Sequence, residues 1–88
     1  MKISEAIAAI SFLGAYGITA EADKGIVTVT RDSICEAIPE HGEEEAYAQV
    51  LDMLNERFPV LRFNWTMKTD EYLFLDTFSL GNRSQARF

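Results

Sequence analysis

The stretch Leu61-Arg-Phe-Asn-Trp-Thr-Met67 alternates large apolar with polar side chains without a break, and Tyr72 to Leu80 follow after a short polar interval. Successive side chains of a strand point to opposite faces, so the alternation predicts a half-buried strand with Leu61, Phe63, Trp65 and Met67 turned to the core. The second segment then returns as its hairpin partner. With Thr69-Asp70 at the tip, Met67 pairs with Tyr72, Trp65 with Phe74, Phe63 with Asp76 and Leu61 with Phe78, and Lys68 faces Glu71 across the turn. This register sets Asp76 on the aromatic face, where a carboxylate needs a partner or a raised pKa. A margin position or a bulge that turns Asp76 to water is the expected resolution.

The rest of the chain supplies the layer that covers such a hairpin. Ser4 reads as an N-cap, and Ile3, Ile7, Ile10 and Gly14, with Ala6, Leu13 and Gly17, recur at helical spacing, which predicts a helix over 4–16. Strands over 18–22 and 26–30 flank Asp23-Lys24-Gly25. Placing Lys24 and Gly25 at the centre of the turn sets Ala22 opposite Val27 and Ala20 opposite Val29, gathering the apolar side chains on one face. Ser33 and Glu36 have capping-box spacing and begin a short helix limited by Pro39. A longer helix runs over 43–58, with Ala46, Tyr47, Val50, Leu51, Leu54 and Phe58 as its inner stripe and Pro59 as its stop. The expected fold is α+β in two layers: a four-stranded antiparallel sheet of two hairpins with both main helices on one face, in the order α-β-β-(short α)-α-β-β. A helix followed by a hairpin occurs twice, at an offset near forty residues, but apolar matches between two amphipathic helices do not establish duplication.

An 88-residue chain with 48% apolar residues is expected to make one ordered domain, here residues 1–80, followed by a polar basic tail over 81–88. The apolar stretch from Ala6 to Ile18 loosely imitates a secretory signal, yet Glu5 interrupts its charged start. Removing the segment would also leave too little chain for a core. No apolar run approaches the ~20 residues of a membrane span, and Cys35 is the only cysteine, so a reducing, cytoplasmic setting is expected. Cys35 reads as a packed thiol.

Charge is divided unevenly. Residues 1–56 carry three basic residues against eleven acids, net −8, while residues 57–88 carry five against three, net +2. Such a chain repels a phosphate backbone over most of its surface. Glu45, Gln49, Asp52 and Glu56 share the outer side of the long helix, and with Glu40, Glu43 and Glu44 they make a negative ridge. This ridge is either a solvated helix face or a docking surface for a basic partner. The candidate residues there are Glu43, Glu44, Glu45, Asp52 and Glu56. The like-charge pair of Asp52 and Glu56 costs a few tenths of a kcal/mol and gains nothing for folding. The face of the sheet away from the helices offers a second candidate, with Val60, Arg62, Asn64, Leu73, Leu75 and Thr77 as a partner or dimer interface.

Residues for chemistry are scarce. His41 is the single histidine, beside Glu45, and lacks the companions of a zinc site or a nucleophilic triad. The glycines are scattered and outline no phosphate loop. No catalytic, cofactor or metal residue is assigned. The sequence does not name an activity; its leading expectation is a small acidic non-enzymatic protein-interaction module of the kind an accessory or phage-type inhibitor or adaptor uses to dock on a basic partner surface, with a homodimer expected. The alternatives are nucleic-acid binding through Arg57, Arg62, Lys68, Arg83 and Arg87, and a small enzyme subunit.

Overall fold

The computed structural model describes residues 1–79. Within them, α1 (Ile3–Gly14) leads to the hairpin β1 (Ala20–Asp23) and β2 (Ile26–Thr30). Next come α2 (Arg31–Ala37) and α3 (Glu43–Arg57), and then the hairpin β3 (Leu61–Lys68) and β4 (Tyr72–Ser79). The basic tail over 81–88 lies outside the described residues. The strands form one antiparallel sheet in the order β1-β2-β4-β3. Each half therefore contributes an edge strand followed by a central strand, and the two halves meet where β2 pairs with β4. The α+β class and the element order agree with the sequence reading.

Local chemistry explains most of the boundaries. The first turn takes positive φ at Lys24 (52°) and Gly25 (81°), the pair of left-handed conformations that a two-residue hairpin needs. It yields the expected register, with Ala22 opposite Val27 and Ala20 opposite Val29. Pro39 and Pro59 follow directly on the C-caps Ile38 and Phe58 of α2 and α3. Two caps differ from expectation. Lys2 takes the N-cap of α1, its backbone N–H donating to Glu5 Oε1 at 2.9 Å, so Ser4 lies inside the first turn. Thr30 takes the N-cap of α2, and Ser33, in the first turn, is buried with its hydroxyl donating to Thr30 O and accepting from the Thr19 N–H. A serine at that place satisfies two strand-end backbone groups at once.

All three helices pack on one face of the sheet. Ala6, Ala9 and Leu13 of α1, Ile34 of α2, and Ala46, Tyr47, Val50 and Leu54 of α3 share a core with Val27, Val29, Phe63, Leu73 and Leu75. In α1 the small residues face the strands and Ile3 and Ile7 are exposed, at 76% and 58%. Alanine lets a helix approach closely, and this helix is apolar on two flanks, so its pattern alone leaves the buried flank undecided.

The second hairpin corrects the sequence reading. Phe63 pairs with Thr77, Asn64 with Asp76, Trp65 with Leu75, and Met67 with Phe74, with a bulge between Trp65 and Met67. The expected partners are thus displaced by one residue from Leu61 to Trp65 and by two beyond the bulge, and a one-residue slip exchanges the faces of a strand. Leu73 and Leu75 are buried completely, beside Val29 and Val27 of β2, and do not lie on the open face. Phe74, Asp76 and Phe78 go to the other side. Burying two leucines in place of a carboxylate decides the register, and the bulge at Thr66 lets Trp65 keep its inward place while Met67 turns outward. Lys68 consequently faces Leu73 and not Glu71.

Candidate protein-interaction surface

The acidic ridge of α3 is divided by the helix that carries it. Glu43, Glu44 and Glu45 lie in the first turn, where the helix dipole favours negative charge, and successive residues point about 100° apart. Each therefore meets a different side chain: Glu43 meets Arg31 Nη2 at 2.9 Å, Glu44 meets Lys68 Nζ at 3.4 Å, and Glu45 meets His41 Nδ1 at 3.4 Å. Asp52 and Glu56 are exposed on the outer side of α3, in line with Glu45. The continuous part of the ridge is thus Glu45, Asp52 and Glu56, while Glu43 and Glu44 tie the helix to the rest of the fold.

That tie is a cluster the sequence did not reveal. Arg31, at the junction of β2 and α2, donates through Nε to the Tyr47 hydroxyl at 2.9 Å, through Nη1 to Thr69 O at 2.6 Å and through Nη2 to Glu43 Oε1. Its backbone N–H donates to Glu71 O. Lys68 Nζ lies 5.8 Å from the centroid of the Tyr47 ring, and the Trp65 indole N–H donates to Tyr47 O at 3.2 Å. Burial pushes the Tyr47 phenol above its ordinary value, while the hydrogen bond from Arg31 opposes that shift. The same hydrogen bond to Tyr47, with the one to Glu43, holds the Arg31 guanidinium more firmly protonated. These contacts fasten the β2–α2 junction, the start of α3 and the tip of the second hairpin together. No spacing in the sequence links residues 31, 47 and 69, which is why the cluster is visible only in the fold.

On the far side of the sheet, the register places a different set of residues from the one expected. Arg62 and Asn64 lie on the open face, opposite Phe78 and Asp76. Leu73 and Leu75 are core residues. Thr77 shares the inward side of β4, and with Val60 it lines an open groove of about 460 Å³ beside Met1, Lys2, Glu5 and Leu61 at the end of the sheet. In place of the leucines the open face carries Met67, Tyr72 and Phe78, exposed at 55%, 41% and 48%, with half-buried Phe74 between Met67 and Thr28. Glu21 and Asp23 lie on the same side at the β1 rim. No described helix covers this face. A contiguous apolar patch with a polar rim is the usual form of a contact surface.

Asp76 is half-buried at the end of β2, where its Oδ1 accepts from the Met1 α-amino group at 2.9 Å and from the Thr77 N–H at 2.7 Å. The same amino group donates to Gly25 O at 2.7 Å. Asp76 thus has its charge partner at the sheet margin and does not meet Phe63.

The remaining candidates do not converge. His41 meets Glu45 alone, and among the described residues no three histidine, cysteine or acidic side chains are grouped to hold a metal ion. Cys35 is half-buried against the core. Of the basic residues proposed for nucleic acid, Arg57 lies over the Phe58 ring, Arg62 is on the open sheet face and Lys68 is turned to α3; Arg83 and Arg87 lie outside the described residues. No described helix is long and apolar enough to cross a membrane. Comparison with known proteins returned no matching family model, no matching characterised protein and no matching solved structure.

Proposed function

We propose that this chain is a non-enzymatic protein-binding module that meets its partner through the open face of the sheet. The observation that carries the reading is the apolar set Met67, Tyr72, Phe74 and Phe78 on the side away from all three helices. Charge on this face favours a basic partner. Glu21 and Asp23 stand at one rim, Asp76 is compensated by the Met1 amino group, and Arg62 is the one cation among the strand residues there. The acidic residues Glu45, Asp52 and Glu56 project from the opposite side of the molecule, so a partner seated on the sheet does not reach them.

Tyr72, Phe74 and Phe78 also favour a second reading. Aromatic side chains along a central strand, with Arg62 beside them, are the elements of a platform on which single-stranded nucleic acid stacks. The acids at the β1 rim and the net charge of −6 oppose it.

One experiment separates these readings. The chain is immobilised beside two variants, Tyr72→Lys with Phe78→Lys, and Glu45→Lys with Asp52→Lys and Glu56→Lys, and challenged with lysate of its source cells, with and without nuclease treatment. A protein retained by the wild type and the α3 variant, and lost by the sheet variant, is the expected result. Loss on the α3 variant alone moves the site to the helix. Binders that require intact nucleic acid, and that fall away steeply with salt, establish the second reading.

A further inference from the structure

The two edges of the sheet are finished differently. In β3 the outward N–H groups of Leu61, Phe63 and Trp65 and the outward carbonyl of Phe63 already have partners. The Leu61 N–H donates to Phe58 O, and the Phe63 N–H and C=O are held by the Asn55 side-chain amide at 2.7 and 3.3 Å. The Trp65 N–H donates to Asn64 Oδ1 at 3.0 Å. Asn55 imitates a neighbouring strand, which closes this edge to pairing.

β1 has no such cover. The two-residue turn makes Asp23 and Ile26 a hydrogen-bonded pair, and the Thr30 N–H donates to Thr19 O at 3.1 Å, which fixes the alternation between them. Ala20 and Ala22 therefore direct their N–H and C=O groups away from β2, and no described residue pairs with them. A second feature lies above this edge. Ala6, Ala9 and Leu13 of α1 point to the sheet, and Phe12 meets Phe58 of α3 with ring centroids 5.9 Å apart. At about 100° per residue, Ile3, Ile7 and Ile10 then occupy the flank of α1 turned away from α3, on the side where β1 is the outermost strand. From Ile3 to Ile10 is about 10 Å of helix, and from Ala20 to Asp23 about 10 Å of strand.

We propose that the outer edge of β1 is a strand-addition site for an extended segment of a partner protein whose alternate residues are basic and apolar. The backbone of that segment pairs with Ala20 and Ala22. Its apolar side chains lie under the isoleucine flank of α1, and its basic side chains lie beside Glu21 and Asp23 on the open face. A second copy of this chain fits less well, because antiparallel pairing of β1 with itself sets these acids against each other. The inference deepens the protein-binding reading by assigning how the partner's chain is held, and its test does not depend on the open-face aromatics.

The probe is a blocked peptide of alternating lysine and valine, titrated into the isotope-labelled full chain and followed by amide shifts and hydrogen exchange. The expected result is shift and protection at Ala20 and Ala22. Ala22→Pro removes an outward N–H without touching the β1–β2 ladder, and weakens binding about tenfold. Ile7→Lys, on the exposed flank of α1, weakens it independently of any effect of proline on folding. Glu21→Lys with Asp23→Lys transfers the preference to a peptide with glutamate in place of lysine. Shifts confined to Met67, Tyr72 and Phe78, with Ala20 and Ala22 unprotected, overturn the edge assignment and leave the open-face reading standing. Absence of binding, equal affinity for the acidic peptide, or concentration-dependent protection without peptide also overturns it.

Discussion

Replacing Leu75 by alanine probes the register on which the open face depends. Leu75 is completely buried, between Trp65 of β3 and Val27 of β2, in a core that one sheet face and three helices share. Removing a buried leucine side chain costs the transfer of its methyl and methylene groups and leaves a cavity, about 3 kcal/mol together. A domain of 88 residues has a total stability of roughly 4–13 kcal/mol. The loss is therefore a large share of the whole, and lowers Tm by roughly 12–24 °C. Phe78→Ala is the internal control. The residue is 48% exposed, and removing its ring costs about 1 kcal/mol. Urea denaturation of both variants, with equal slopes, measures the difference. A small effect for Leu75→Ala together with a large one for Phe78→Ala would mean that the strand buries its other face, and the open-face argument would fail with it.

Three further outcomes follow from particular contacts. Lys24→Asn relieves a positive φ that asparagine tolerates better than lysine, and stabilises the first hairpin by about 0.5 kcal/mol in thermal or urea unfolding. Asn55→Ala removes both hydrogen bonds to Phe63 and costs about 1–2 kcal/mol; because it also opens the β3 edge, sedimentation should show new concentration-dependent association. Tyr47→Phe alters the alkaline limb of the stability curve. The folded phenol holds its proton more tightly than the unfolded one, so its contribution is complete below the ordinary value of 10.0 and is lost as pH rises through the raised folded value. The wild type should therefore lose stability faster than the variant above that pH, and parallel curves would show that burial does not perturb the phenol.

The first hairpin was legible because its turn chemistry and its burial pattern agree: glycine at the required positive φ and four apolar residues on one side admit a single register. The long helix was legible for the same reason, with Pro59 as its stop. The second hairpin was not, because both faces of β4 are apolar and the bulge at Thr66 reverses the facing of β3 where its sequence alternation continues unbroken. Asp76 inside the core and Leu73 and Leu75 outside it were the visible signs of strain in the expected register, and a one-residue shift removes both. For α1 the isoleucines outweigh the alanines in any hydrophobic pattern, yet close packing on the sheet selects the alanines. The same limit applies to the candidate surface. Arg62 and Asn64 were placed correctly by alternation, whereas Tyr72, Phe74 and Phe78 could reach the open face only once the register was known. Arg31, Tyr47 and Thr69 are brought together by the fold alone.

The most direct test of the protein-binding reading is hydrogen exchange on the labelled chain, free and bound to the partner recovered from lysate. New protection and shifts at Arg62, Asn64, Met67, Tyr72 and Phe74 are the predicted result, with Glu45, Asp52 and Glu56 unchanged. Protection centred on Asp52 and Glu56, with the β4 residues unaltered, would contradict the account and assign the contact to the outer face of α3.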